Sequence, residues 1–197
     1  MNFVSEEIEK YSTIHSESES ELLKKLYRET YLNVLNPRMI SGPLQGRILS
    51  FISKIINPNK ILEIGTFTGY STLCLAEGLK KNGTIQTIEK NDELIEIQNK
   101  YFEKSSYRKN IYQLTGNALQ ILPTLNEKYD LIFLDADKKN YLIYLDLLIP
   151  KLKTKGILMT DNVLWNGKVL NKVKDTDSQI IHNYNKKVNS DERLNSV

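Results

Sequence analysis

The sequence predicts an α/β fold: a doubly wound, mainly parallel sheet with helices on both faces. Three observations predict it. From Lys60 onward, short apolar runs alternate with helical patterns, as strand–helix–strand crossovers do. Those runs are apolar almost throughout, which suits strands covered on both faces. Glycines and acids stand at their carboxyl ends, where open sheets of this kind bind ligands. The 197 residues are one domain's worth of chain, and 40% apolar with 26% charged residues is an ordinary globular balance.

The first 57 residues read as helices. Ser16 or Ser18 is expected to cap the first, with Glu19 and Glu21 near its positive end. Leu22, Leu23, Leu26 and Tyr27 then recur at helical spacing as far as Tyr31. Asn36-Pro37 interrupts the pattern and Ser41-Gly42-Pro43 marks a loop. A second helix is expected over 44–56, with Ile48, Leu49, Ile52, Ile55 and Ile56 as its apolar stripe, and Asn57-Pro58-Asn59 ends it. Five parallel strands are expected at 61–64, 84–88, 111–114, 130–134 and 157–160. Helical stretches over 70–79, 92–102 and 140–149 and a short turn over 118–122 connect them, and a last helix spans 176–188. The expectation is a single domain over 1–197, with N-terminal helices and a gate loop over 1–57 and the core over 58–197.

Composition narrows the chemistry. One cysteine, Cys74, excludes an internal disulfide framework, and with only two histidines any metal would be held mainly by oxygens. Lys plus Arg (27) exceed Asp plus Glu (24) by three, too small a surplus to argue for nucleic acid or membrane. No segment has the apolar length of a membrane span. The stretch Met1–Glu21 is polar and acidic, the opposite of a signal peptide. A cytoplasmic protein without membrane contact is expected.

The strand ends carry the functional signal. After the first strand comes Glu63-Ile64-Gly65-Thr66-Phe67-Thr68-Gly69-Tyr70-Ser71. Its glycines let the backbone turn tightly beside a ligand, and the next helix presents free N–H groups. An acid before glycines four apart is not the G-x-G-x-x-G pyrophosphate pattern. Glu63 suits an ammonium and Ser71 a carboxylate, which together describe the amino-acid part of S-adenosylmethionine; the alternative is a structural turn with Glu63 paired to a lysine. Glu89 follows about 20 residues later, where a carboxylate accepts ribose hydroxyls or serves as a helix cap. The last two expected strands run into Asp135-Ala136-Asp137-Lys138 and Asp161-Asn162. Asp135, Asp161 and Asn162 on neighbouring strand tips would offer oxygens to a hard divalent ion, or would act as N-caps. A lysine beside such an ion is favoured as the amine, which makes Lys138 a candidate base; otherwise it is a solvated helix-start residue.

Together these segments resemble the cation-dependent O-methyltransferases, the group of catechol and caffeoyl-coenzyme A O-methyltransferases and their small bacterial relatives. The matching text is LEIGTFTGYS (62–71), the acid of TIEKNDE, GNAL (116–119), FLDADKKNY (133–141), DNVLWNGKV (161–169) and the gate loop MISGPLQG (39–46). The resemblance implies a Rossmann-like class I methyltransferase fold. It implies Met39, Ser41, Glu63, Gly65, Thr66, Phe67, Ser71, Glu89, Ala118 and Asp135 on S-adenosylmethionine. It further implies Asp135, Asp161 and Asn162 on a divalent cation (magnesium, manganese or calcium), Lys138 as general base and Asn166 against the substrate. Trp165 either covers an aromatic acceptor or is structural. Asn117 stands where the family commonly has Asp. The family's sheet continues beyond the equivalent of 191–197 into an antiparallel hairpin, expected to be missing here, which would leave an apolar sheet edge.

The implied reaction is methyl transfer to a catechol-like diol. The first alternative acceptor is a hydroxylated uridine in transfer RNA. A reading from another class is a non-catalytic S-adenosylmethionine-binding or scaffold protein. A homodimer is expected through the N-terminal helices.

Overall fold

The computed structural model describes residues 5–172 and 175–197. Among these, three helices precede the sheet, where two were expected: α1 (Glu6–Ile14), α2 (Glu21–Asn33) and α3 (Gly42–Ile56). Ser5 caps α1 by accepting from the Ile8 N–H, and the helix buries none of its residues. Its apolar positions Ile8, Tyr11 and Ile14 are all exposed, so the sequence carries no core-facing stripe to betray it. Ser20 caps α2, not Ser16 or Ser18; Ser16 instead donates back to the Ser12 carbonyl at 2.7 Å.

The face that α3 buries also differs from the expected stripe. Gly46, Leu49, Ser50 and Ser53 are buried, whereas Ile48 and Ile55 stand 50% and 68% exposed beside exposed Phe51. The reason is a close approach to α4 (Tyr70–Ala76). A Cβ at Gly46 would lie 2.6 Å from the Tyr70 ring, and one at Gly78 would lie 2.2 Å from Ser53 backbone. Small residues must therefore face inward, and Ser53 donates across the contact to the Leu75 carbonyl at 2.6 Å. Arg47 adds a bidentate pair to Glu77, at 2.9 and 2.7 Å. Asn57 closes α3 in the left-handed region, at φ 49°.

The strands are β1 (Lys60–Ile64), β2 (Thr84–Glu89), β3 (Ile111–Thr115), β4 (Tyr129–Leu134) and β5 (Leu152–Thr160). They form a five-stranded sheet in the order β3-β2-β1-β4-β5, with every pairing parallel. The order reverses at β1, which pairs β2 on one side and β4 on the other; that is the switch point where such sheets bind ligands. Helices α5 (Ile95–Glu103), α6 (Ala118–Ile121), α7 (Tyr141–Leu148) and α8 (Thr176–Ser190) complete the frame. One apolar cluster joins the sheet to α2, α3, α4 and α5; the other joins it to α6, α7 and α8. The expected doubly wound architecture is the one observed.

Two features of β5 matter below. Its pairing with β4 shifts register between Tyr129 and Leu131 and then runs regularly from Leu131↔Ile157 to Leu134↔Thr160. It is an edge strand, and among the described residues nothing pairs with its outer side. No helix of the described residues is long and apolar enough to cross a membrane.

Candidate active site

Sheet pairing continues past the strand ends and sets their tips side by side. Gly65 N donates to the Ile88 carbonyl at 3.0 Å, Asp135 N to Ile64 at 2.9 Å and Asp161 N to Leu134 at 3.0 Å. The tips open into a cavity of about 1110 Å³, above the ~300–1,000 Å³ of an ordinary small-molecule pocket and roomy enough for two ligands. Of the residues singled out from the sequence, Met39, Ser41, Gly65, Thr66, Phe67, Ser71, Glu89, Ala118, Asp135, Lys138, Asp161, Asn162 and Asn166 line it, and Glu63 does not.

The loop after β1 is fixed by its backbone. Gly65 has φ +101°, and a Cβ there would lie 1.9 Å from the Asp135 carbonyl oxygen, so only glycine lets the two tips meet. Phe67 is left-handed at φ 48°. Its N–H donates to Glu89 Oε2 at 2.7 Å, and its carbonyl accepts from Gln98 Nε2 at 2.6 Å. The other Glu89 oxygen accepts from Asn91 N at 2.9 Å. Glu89 thus braces the glycine loop while bordering the cavity.

Glu63 lies beneath the loop, with no exposed surface. Its carboxylate accepts from the hydroxyls of Ser71 (2.6 Å), Thr87 (2.6 Å) and Thr72. Burial pushes its pKa up to about 7, against those three donors, and the Asp135 charge adds to the rise. Thr66 bonds Thr87 at 2.5 Å; because the Thr87 proton goes to Glu63, Thr66 is the donor. The Ser71 hydroxyl proton is likewise committed inward to Glu63, although Ser71 itself borders the cavity.

At the other end Asp135 and Asp161 are neighbours across β4 and β5. Burial raises the pKa of Asp135, with the ammonium of Lys138 opposing the rise and the Asp161 carboxylate reinforcing it. Asp161 Oδ1 accepts from Asn162 N at 2.8 Å, and Asn162 is left-handed at φ 59°. Lys138 Nζ donates to Asp135 Oδ1 at 2.9 Å and to the Tyr141 hydroxyl at 2.6 Å, and sits 4.8 Å from that ring's centroid. Tyr141 in turn donates to the Asp161 carbonyl at 3.2 Å. Among the described residues no group of three His, Cys, Asp or Glu side chains is placed to hold a metal. The candidate set is two carboxylates and an amide, all oxygen donors, with two negative charges beside one lysine. That chemistry fits a hard divalent cation with open positions for water or substrate.

The loop after β5 borders the cavity through residues 161–166. Trp165 and Asn166 (φ 44° and 51°) and Gly167 (φ 78°) are all left-handed. Trp165 borders the cavity and also packs on the core cluster beneath α7 and α8. Asn117 caps α6, its Oδ1 accepting from Leu119 N at 3.0 Å.

The sequence pattern of a family described as O-methyltransferase matches residues 13–197. This chain belongs to the O-methyltransferase family. Caffeoyl-CoA O-methyltransferase 2 of Petunia hybrida is 39% identical over 158 residues, which are 77% of this chain and 65% of that protein. Catechol O-methyltransferase of Niastella koreensis is 33% identical over 138 residues, 68% of this chain and 62% of that protein. The chain thus spans 65% or less of the length of these curated relatives. In three dimensions it is similar to the Bacillus cereus O-methyltransferase in complex with SAH, with a TM-score of 0.86 and 26% identity, covering 94% of this chain and 86% of that one. It is also similar to TomG of Streptomyces achromogenes in complex with SAM, with a TM-score of 0.84 and 26% identity over 93% and 83% of the two chains.

Sequence reasoning passed over three residues of this family member's site. Tyr141 lies three positions beyond Lys138 and shares its face of the turn, a spacing that was readable. Thr87 follows Gln86 in β2, and parallel register sets it opposite Glu63. Gln98, only 2% exposed, holds the Phe67 carbonyl from α5 and accepts from Gln113 at 3.0 Å; no local signal marks it.

Proposed function

We propose that this chain is an S-adenosylmethionine-dependent O-methyltransferase that requires a divalent cation and methylates a catechol-like vicinal diol. One observation carries the reading: the cavity that borders the glycine loop and Glu89 also holds Asp135, Asp161, Asn162 and Lys138. Relatives named for caffeoyl-CoA and catechol, and solved structures described with SAH and SAM, support it.

When bound, S-adenosylmethionine supplies a methyl group activated by its sulfonium. Glu89 accepts from the ribose hydroxyls, Ala118 lies beside the adenine, and Met39 and Ser41 border the amino-acid end. Asp135, Asp161 and Asn162 would hold the cation, which when bound makes a coordinated hydroxyl more acidic and fixes its aim. Lys138 takes the hydroxyl proton. Asn166 and Trp165 border the aromatic acceptor. Holding nucleophile and methyl at near-attack distance is the protein's main contribution to rate.

The test is transfer from labelled S-adenosylmethionine to a panel of diols and to unmodified and hydroxylated transfer RNA. EDTA is expected to abolish transfer, and magnesium or manganese to restore it. Chelator-resistant transfer overturns the cation requirement. Transfer to hydroxylated transfer RNA alone replaces the diol, and binding without any transfer leaves a cofactor-binding protein. The same reading includes a homodimer through the N-terminal helices, for which exposed apolar side chains on α1 (Ile8, Tyr11, Ile14) and on α3 (Ile48, Phe51, Ile55) offer surface; a monomer in light scattering overturns that part.

A further inference from the structure

The loop carrying two of the three candidate cation ligands is held from behind by side chains that no step above uses. Tyr184 of α8 shares a 2.6 Å hydrogen bond with the Thr160 hydroxyl. Asn185, the next residue of α8, donates its amide Nδ2 to the Val163 carbonyl at 2.8 Å. Between these holds lie Asp161, whose carbonyl accepts from the Tyr141 hydroxyl at 3.2 Å, and Asn162, whose carbonyl accepts from Trp165 N at 3.0 Å. Positions 160, 161 and 163 are therefore each tied to a helix behind the sheet.

The loop needs such ties. Asn162 is left-handed, and its N–H turns back to the Asp161 carboxylate; a strained backbone of this kind persists only where its surroundings over-determine it. The ties themselves are well anchored. Tyr184 is 2% exposed and Ile181, one turn before it, is fully buried. The Tyr184 ring meets Tyr141 edge to face at 5.3 Å between centroids, so α7 and α8 act on the loop as one packed unit.

We propose that Tyr184 and Asn185 are positioning residues for the cation: by gripping the loop on both sides of Asp161 and Asn162, α8 sets the aim of those two ligands. This rests on the cation requirement proposed above. Groups that orient metal ligands typically change metal affinity ~10–100-fold when removed, and an effect of that order is expected here even though neither residue touches the ion.

The probe is Mn²⁺, titrated into the full chain with free ion read by electron paramagnetic resonance, alongside calorimetry of S-adenosylhomocysteine binding without metal. Tyr184→Phe and Asn185→Ala each remove one hydrogen bond and keep the helix. Each is expected to weaken Mn²⁺ binding about 10-fold and to leave S-adenosylhomocysteine affinity unchanged. Ile181→Val loosens the same buried face without touching the loop and is expected to bind Mn²⁺ like the parent. If the parent binds Mn²⁺ and both loop-facing variants match it, the positioning role is overturned. The same holds if Ile181→Val weakens Mn²⁺ binding as much as they do. A parent chain that binds no Mn²⁺ overturns the cation requirement itself, a distinguishable failure.

Discussion

Single residues decide whether the strand tips meet in register and with the right chemistry. At Gly65 an added methyl would collide with the Asp135 carbonyl at 1.9 Å and would sit on a backbone of φ +101°. Gly65→Ala is therefore expected to cost about 3 kcal/mol of stability and to displace Asp135, so denaturant melts and cofactor calorimetry should both register the loss. Lys138 poses a different question because it is already bonded to Asp135 and Tyr141. As the proposed base it contributes to the chemical step rather than to cofactor binding. Lys138→Met should lower turnover by roughly 10²–10⁴, with S-adenosylmethionine affinity nearly unchanged; full turnover in that variant at every pH removes the assignment. The aspartates, the asparagine and the glycines were readable in the sequence because their residue types are unusual at strand ends. The partners of Glu63 were not readable, because the text shows that an acid precedes a loop, not that its carboxylate meets three buried hydroxyls.

Elements are held by interfaces that periodicity describes only in part. The breaker Asn57 ends α3 where the sequence places it, yet the cap of α2 was misassigned and the buried face of α3 does not follow from its isoleucines. Its partner α4 approaches too closely for large side chains, and that partner is unknown until the fold is built. The ion pair at this contact is the place to test its strength. Arg47 and Glu77 are 9% and 17% exposed at their side chains, and burial alone would raise the Glu77 pKa. The hydrogen bonds from Arg47 and Ser50 outweigh burial and hold it below the ordinary carboxylate value. A depressed carboxylate contributes stability above its unfolded pKa, and that contribution is lost as pH falls through the folded value. Arg47→Met should leave the half-buried Glu77 charge to Ser50 (2.6 Å) and the more exposed Lys54 (3.3 Å), cost up to about 3 kcal/mol at neutral pH, and cost less in acid, where Glu77 is neutral. A penalty in urea melts that does not shrink toward low pH would contradict this account.

For the molecule as a whole, the alternation of runs gave the sheet, its parallel sense and its ligand-binding edge. Strand order and register needed coordinates, because they depend on which strands pair and not on any one strand's composition. Stability should carry the signature of Glu63. Its pKa is raised to about 7, so the folded state binds the proton more tightly than the unfolded state. The sign is therefore opposite to that of Glu77: the contribution is present in acid and is lost as pH rises from about 4.3 to 7. The loss is on the order of 3 kcal/mol. Glu63→Gln should remove this fall, so the parent-minus-variant difference in unfolding free energy is expected to decline across that window; a flat difference would refute it. The irregular start of β5 has a consequence of another kind. Three more residues lie between Leu152 and Ile157 than between Tyr129 and Leu131 on β4, and the slack includes left-handed Lys155 at φ 65°. This segment works as a slip joint: a residue inserted or deleted over 153–156 is absorbed there, and Asp161 keeps its heading. Removing one residue between Ile157 and Thr160 has no such buffer, and would swing Asp161 to the opposite side of the sheet.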